Sequence, residues 1–301
     1  MEILTWRRAV AKFCFLYCRI KCNFALFMKI IVRLSLIAIL FCSCAGKYGK
    51  LLKSSNNELK YKAANEYYDK KQWSKAQDLY NSLMSYMRGT PRYENMYYKY
   101  AYCAYYQKDY MNAEQLFKTF MDNFPTSQYL EEIAFNRAFC FYKQSPRPEL
   151  DQSPTQKAMA TYQEFVNTYP NSSKVAQAND YIKACLAKME EKEFLGCKLY
   201  YDMGYFKSAH TTFELLMDDY PESTHTDQYL MYSLESMYKY AKMSLPEHQL
   251  ERFNKVKDEC DDFTNRFPNS PLLEKVKDYK QLSDNEIKII KNEQAKEANQ
   301  S

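Results

Sequence analysis

Four stretches of the chain share one hydrophobic pattern and one ending. Each closes on an aromatic residue, a proline, a variable residue and a serine: Phe124-Pro125-Thr126-Ser127, Tyr169-Pro170-Asn171-Ser172, Tyr220-Pro221-Glu222-Ser223 and Phe267-Pro268-Asn269-Ser270. Twelve residues before each proline stands Ala113, Ala158, Ala209 or Val256; eight before it, Phe117, Tyr162, Phe213 or Cys260; five before it, Phe120, Phe165, Leu216 or Phe263. Offsets of four and three residues lie on one side of a 3.6-residue helix, so each stretch predicts an amphipathic helix with this stripe facing inward. The proline disfavours helical backbone at the residue before it and ends the helix. The serine is placed to start the next one by accepting a free backbone N–H.

Upstream of each such helix lies a partner rich in small and aromatic residues, and the pair has the spacing of a helix–turn–helix repeat. Ala64, Tyr67, Ala76, Tyr80 and Leu83 in a first unit, and Ala101, Ala113, Phe117, Phe120 and Pro125 in a second, match the TPR pattern, whose period is about 34 residues. The four prolines lie 45, 51 and 47 residues apart. The excess predicts a Pro-rich loop over 145–154 and an extended helix from about Ser173 to Asp202. Pro91 is displaced from register in the first unit. A last helix, roughly Pro271 to Lys291 and interrupted near Ser283, is expected to cap the open end, because terminal repeats need a polar outer face. The expected fold is all-α, a TPR-like α-solenoid of about five helix-turn-helix units with a C-terminal capping helix. The N-terminal units 1–3 occupy 58–170, units 4–5 with the capping helix occupy 171–291, and 292–301 form a polar tail.

Composition agrees with helices: 5 Gly and 10 Pro in 301 residues leave little for turn-rich β structure, and 29 Tyr supply large apolar bodies with polar tips. The net charge of +5 is concentrated at the start, where seven bases precede Cys44. Beyond that point 35 basic residues face 36 acidic ones, which removes the basic excess a nucleic-acid binder needs. Met28-Lys29 to Arg33, the apolar run Leu34–Phe41 and then Cys42-Ser43-Cys44-Ala45-Gly46 form a secretory signal ending in a lipobox-like cysteine. The run is shorter than the roughly 20 apolar residues of a membrane span. Residues 1–43 are therefore the expected signal segment, with 1–27 preceding an adequate start at Met28. Cys44 is the expected lipidation site, and 44–57 are its tether; an ordinary cleaved signal without lipid is the alternative. Cys14, Cys18 and Cys22 fall on one helix face within the dispensable stretch.

Catalytic signatures are not found. His210, His225 and His248 form no HExxH motif, and five scattered glycines make no phosphate loop. His210, next to the stripe residue Ala209, is expected at the surface or an edge. Cys103, Cys140, Cys185, Cys197 and Cys260 lack zinc spacing and are expected in the core as small apolar groups, with a disulfide between two of them left open. No cofactor or metal is expected, and the chain is expected not to be an enzyme.

In a TPR stack the first helix of each unit lines one face. The register places Tyr61, Asn65 and Tyr68 there from unit 1, Tyr98, Tyr102 and Tyr105 from unit 2, and Phe135 and Phe139 from unit 3. Aromatic side chains give contact area at small rotamer cost, which suits a peptide groove. Packing between neighbouring units is the equal alternative. Asn65 falls where peptide-binding TPRs often keep an asparagine, without an evident Lys/Arg clamp.

The lipobox, the repeat units, the aromatic-Pro-x-Ser endings and the long helix carrying Glu191-Lys192-Glu193-Phe194 before Tyr200-Tyr201 together resemble the BamD family, lipoproteins of the β-barrel assembly machinery. The resemblance covers nearly all of 44–291. It implies a non-catalytic scaffold, lipid-anchored in the outer membrane and facing the periplasm. It further implies that the C-terminal units dock a BamA-like barrel-inserting protein among other assembly-complex members, while the N-terminal units meet unfolded outer-membrane proteins. Two other classes share the repeat: a generic TPR lipoprotein of the envelope mediating other periplasmic contacts, and the larger SusD-type sugar binders, for whose insertions this chain has little room.

Overall fold

The computed structural model describes residues 47–298, and no strand occurs among them. A helical turn over 47–52 precedes eleven helices: α1 (Asn57–Asp69), α2 (Trp73–Met87), α3 (Tyr93–Tyr106), α4 (Tyr110–Asn123), α5 (Leu130–Gln144), α6 (Ser153–Thr168), α7 (Val175–Asp202), α8 (Phe206–Asp219), α9 (Thr226–Lys242), α10 (Pro246–Arg266) and α11 (Leu273–Ala298). They pair as five hairpins followed by a single helix, the expected TPR-like α-solenoid with its C-terminal cap. The signal segment, Cys44 and the four cysteines ahead of it lie outside the described residues.

Two turn types recur. Within the hairpins α1–α2, α3–α4 and α7–α8, one left-handed residue reverses the chain: Lys71 (φ 57°), Lys108 (φ 62°) and Gly204 (φ 80°). In each, that residue donates its N–H three residues back, to Tyr68, Tyr105 or Tyr201, and the next residue donates five back, to Tyr67, Ala104 or Tyr200. This is the Schellman closure, which satisfies carbonyls a helix end leaves open.

Between hairpins the aromatic-Pro-x-Ser endings form a second turn. The aromatic N–H donates to the stripe residue four back, and the serine N–H donates to the aromatic carbonyl at 3.0–3.1 Å across the proline. The serine Oγ then accepts the N–H two residues on, at 3.1 Å from Tyr129, 3.1 Å from Lys174, 3.0 Å from His225 and 3.2 Å from Leu272. These serines therefore sit three residues before the first residue of α5, α7, α9 and α11, shaping the entry rather than capping the first helical turn. The first unit closes differently, with Gly89 left-handed (φ 83°) and Thr90 donating its hydroxyl to the Met87 carbonyl at 2.7 Å. That explains why Pro91 is out of register.

All twelve stripe positions are at most 2% exposed. Burying an aromatic or leucine side chain contributes on the order of 1.5–3 kcal/mol, so the stripes add substantially to helix pairing.

The chain divides into two compact units, up to Leu116 and from Phe117 onward, with the break inside α4. In the first, α1, α2 and α3 close over Ala64, Ala76, Leu79, Tyr80, Leu83, Met87, Met96 and Cys103. Tyr48, Leu51 and Leu52 pack against this core, and the Tyr48 hydroxyl donates to Asp78 at 2.9 Å. The segment expected as tether is thus docked from Tyr48 onward.

In the second unit each helix from α5 onward packs on its successor, and α5 also meets α7, and α9 meets α11. Its clusters overlap along the chain: Met217 packs against the groups centred on Phe213 and on Val256, and Tyr238 joins Val256 to Phe253 and Ile287. The α5–α6 loop is held by the buried Gln152, whose amide donates to the Arg147, Pro148 and Leu150 carbonyls at 2.8, 3.3 and 3.1 Å. α11 is unbroken at Ser283, whose buried hydroxyl donates to the Tyr279 carbonyl at 2.8 Å, and it runs past Lys291 to Ala298. The five cysteines are free and buried.

Candidate functional site

On the first unit the residues singled out for a groove come from α1 and α3. Tyr61, Asn65, Tyr68, Tyr98 and Tyr105 are half-buried, whereas Tyr102 is 2% exposed and belongs to the core. Tyr102 lies in an aromatic group with Tyr98 (4.5 Å between ring centres), Tyr105 (5.8 Å) and Tyr106 (5.6 Å). Tyr106 in turn stacks on Trp73 at 4.5 Å, and Trp73 meets Tyr68 edge-on at 5.1 Å. Packing claims Tyr102, while Tyr98 and Tyr105 are half-buried and Tyr106 is exposed.

Asn65 is already engaged. Its carbonyl oxygen accepts from Tyr80 Oη at 3.0 Å and from Lys99 Nζ at 2.7 Å, and its amide donates to the Tyr61 carbonyl at 3.0 Å. With both lone pairs used, at most one amide N–H remains for a ligand. The burial of Tyr80, next to this network, pushes its phenol above the ordinary range and keeps it a neutral donor.

Two cations border the same face. Lys99 lies 5.3 Å from the Tyr68 ring centre, and Arg92 lies 5.6 Å from that of Tyr61 while pairing with Glu58 at 2.9 Å. Both ends of the Arg92–Glu58 pair are more than half exposed, so water and salt screen it and it yields readily to a competing anion. Sequence reasoning missed these cations, although the signal was there: Asn65–Lys99 and Glu58–Arg92 are each 34 residues apart, one TPR period.

On the second unit Phe135 is 6% exposed and sits among Tyr162 (5.5 Å), Phe165 (5.4 Å) and Tyr181 (6.3 Å). It serves the α5–α6–α7 core. Phe139, half-buried, meets Tyr181 at 5.7 Å and carries Lys143 Nζ 5.0 Å from its centre. Apolar side chains are also exposed on α7, the turn after it and α8, among them Leu199, Met203, Tyr205 and Leu215. No described helix is long and apolar enough to cross a membrane.

A protein-family model described as YfiO, outer membrane lipoprotein, matches residues 53–255, from just before α1 into α10. The chain belongs to this family of outer membrane lipoproteins. The matched span holds both faces just described and three of the four aromatic-Pro-x-Ser turns. No curated protein matches the lipoprotein. A solved structure titled as the TPR2AB domain–pHSP90 complex of yeast Sti1 is similar over 76% of this chain and 99% of that one, with 11% identity and a TM-score of 0.35.

Proposed function

We propose that this outer membrane lipoprotein is a non-catalytic scaffold of the β-barrel assembly complex, held by lipid on Cys44 and facing the periplasm. The family match over 53–255, together with the BamD-like endings and lipobox, carries this reading. Residues 58–170 receive unfolded outer-membrane proteins, and 171–291 dock a BamA-like barrel-inserting partner among other members of the complex.

The face of α1 and α3 supports a particular substrate feature. A barrel protein's last strand commonly ends in an aromatic residue followed by a free carboxylate. Tyr61, Tyr68, Tyr98 and Tyr105 offer rings for the aromatic end, while Lys99 and Arg92 offer charge for the carboxylate. Charge-assisted hydrogen bonds are about twice as strong as neutral ones, which gives the chain end its weight in recognition.

A fluorescent peptide ending in phenylalanine, titrated with the full chain in detergent, tests this. Tyr68→Ala combined with Lys99→Ala is expected to weaken binding about tenfold or more, a loss near 1.4 kcal/mol. Amidating the peptide's carboxylate is expected to do the same to the unaltered protein. Equal affinity for the free and amidated peptides, with no effect of the double substitution, rules the face out.

A further inference from the structure

The second unit contains a polar cluster that no part of the scaffold role uses. His210, expected near the surface, is 5% exposed and lies between α8, α9 and α10. Its Nδ1 is 2.8 Å from Ser233 Oγ, and that hydroxyl reaches the His210 carbonyl at 3.5 Å. A serine donating to the carbonyl accepts from Nδ1–H, so the lone pair sits on Nε2. Nε2 points at two carboxylates: Glu214, one helical turn along α8, at 3.4 Å, and Glu259 of α10 at 3.5 Å.

We propose that His210 Nε2, Glu214 and Glu259 bind one divalent cation of the zinc type. Zinc bonds of about 2.0–2.1 Å at tetrahedral angles hold neighbouring donors roughly 3.4 Å apart, the separation seen here from Nε2 to each carboxylate. All three donor atoms lie within 4.8 Å of one another. A histidine fixed by its other nitrogen against a polar group is the usual orientation of a metal ligand.

Glu259 supplies an independent sign. Both its carboxylate oxygens are sealed from solvent and receive no hydrogen bond. A buried carboxylate in that state carries a large desolvation cost, which a bound cation removes. The nearest positive group, Lys255 Nζ, stands 3.7 Å from Glu259 and 3.8 Å from Glu214, beyond hydrogen-bonding distance, and 2.9 Å from His210 Nε2. It occupies the cation's place in this structure. The Lys255 side chain is half exposed and its flexible stem reaches solvent, so the ammonium can withdraw when a dication enters. An open pocket of about 650 Å³, whose lining includes Glu214, Ser233 and Glu259, reaches the cluster from the half-exposed Glu214 side and leaves room for water as the fourth ligand. The other account is that Lys255 is the permanent cation and the cluster only joins three helices.

Full-length protein in detergent, stripped with a chelator, is titrated with zinc by calorimetry and with cobalt by visible absorption. One saturable zinc site and the cobalt bands of a tetrahedral site are expected. His210→Gln and Glu259→Gln should each weaken zinc at least tenfold, and Lys255→Met, which removes the competitor, should preserve or tighten binding. Zinc should also raise the thermal midpoint of the unaltered protein but not of His210→Gln. Because His210 is in the core, Glu214→Gln on the pocket rim repeats the test without touching packing. Absence of saturable zinc binding in both the unaltered protein and Lys255→Met overturns the proposal, as does binding unaffected by the His210, Glu214 and Glu259 substitutions.

Discussion

Ser172 links two levels of the repeat through one hydroxyl. It accepts from the Lys174 N–H at 3.1 Å and donates to Glu131 of the preceding hairpin at 2.6 Å. Ser223 likewise donates to Glu190, and Ser270 to Asp227 at 2.7 Å, so the turn serine also ties successive hairpins together. Replacing Ser172 by Ala is expected to destabilise the protein by about 1 kcal/mol, read from the urea midpoint. Lys108 makes the opposite case. A left-handed backbone costs an L-residue roughly 1–2 kcal/mol, part of which glycine gives back as unfolded-chain entropy, so Lys108→Gly is expected to gain about 0.5–1 kcal/mol in the same experiment. At this scale the sequence is legible where a residue's role is set by its near neighbours, as in the turn motif. It is illegible where the helix phase decides: Tyr102 and Phe135 share an aromatic spacing with Tyr98 and Phe139, yet a rotation of less than one residue separates core from rim. The burial of His210, beside Ala209, is likewise hidden from the sequence because the serine that holds it, Ser233, comes from the next helix.

The helices themselves were legible almost in full, because stripe, proline and serine repeat the same information four times. Two departures have local causes. Ser283 does not break α11, since its hydroxyl is satisfied inside the helix, and the first unit ends on Gly89 and Thr90 in place of the common motif. The contacts between non-adjacent helices could not be read from spacing alone. Glu235 on α9 is the example: it pairs with Lys275 of α11 at 2.9 Å and Lys239 at 3.2 Å and accepts from Tyr201 of α7, 34 residues upstream. Burial pushes its carboxyl up, but hydrogen bonds from Lys275 and Tyr201, the Lys275 charge and Lys239 outweigh that and hold it down at about 2. A carboxyl lowered in the folded state adds stability above its unfolded pKa of about 4.3, and that contribution is lost as pH falls from there to about 2. Glu235→Gln is therefore expected to lower the thermal midpoint at pH 7, with the gap from the unaltered protein closing as pH approaches 2. A gap of constant size across that window means the ion cluster does not stabilise this helix trio.

For the molecule as a whole, the repeat explains how a chain with few glycines builds long faces from short local contacts. Within each unit the helices bury their stripes against neighbouring helices. The fold, the repeat number and the envelope address were within reach of the sequence; the cations beside Asn65 and the His210 cluster needed coordinates, since both depend on which helices become neighbours. The central claim is tested most directly by intact-mass analysis of the tagged protein and its companions after mild detergent extraction of the native membrane. The account predicts a mature chain beginning at an acylated Cys44, in stoichiometric association with a barrel-forming outer-membrane protein. A chain without acyl mass, or one recovered with soluble partners and no barrel protein, would contradict it.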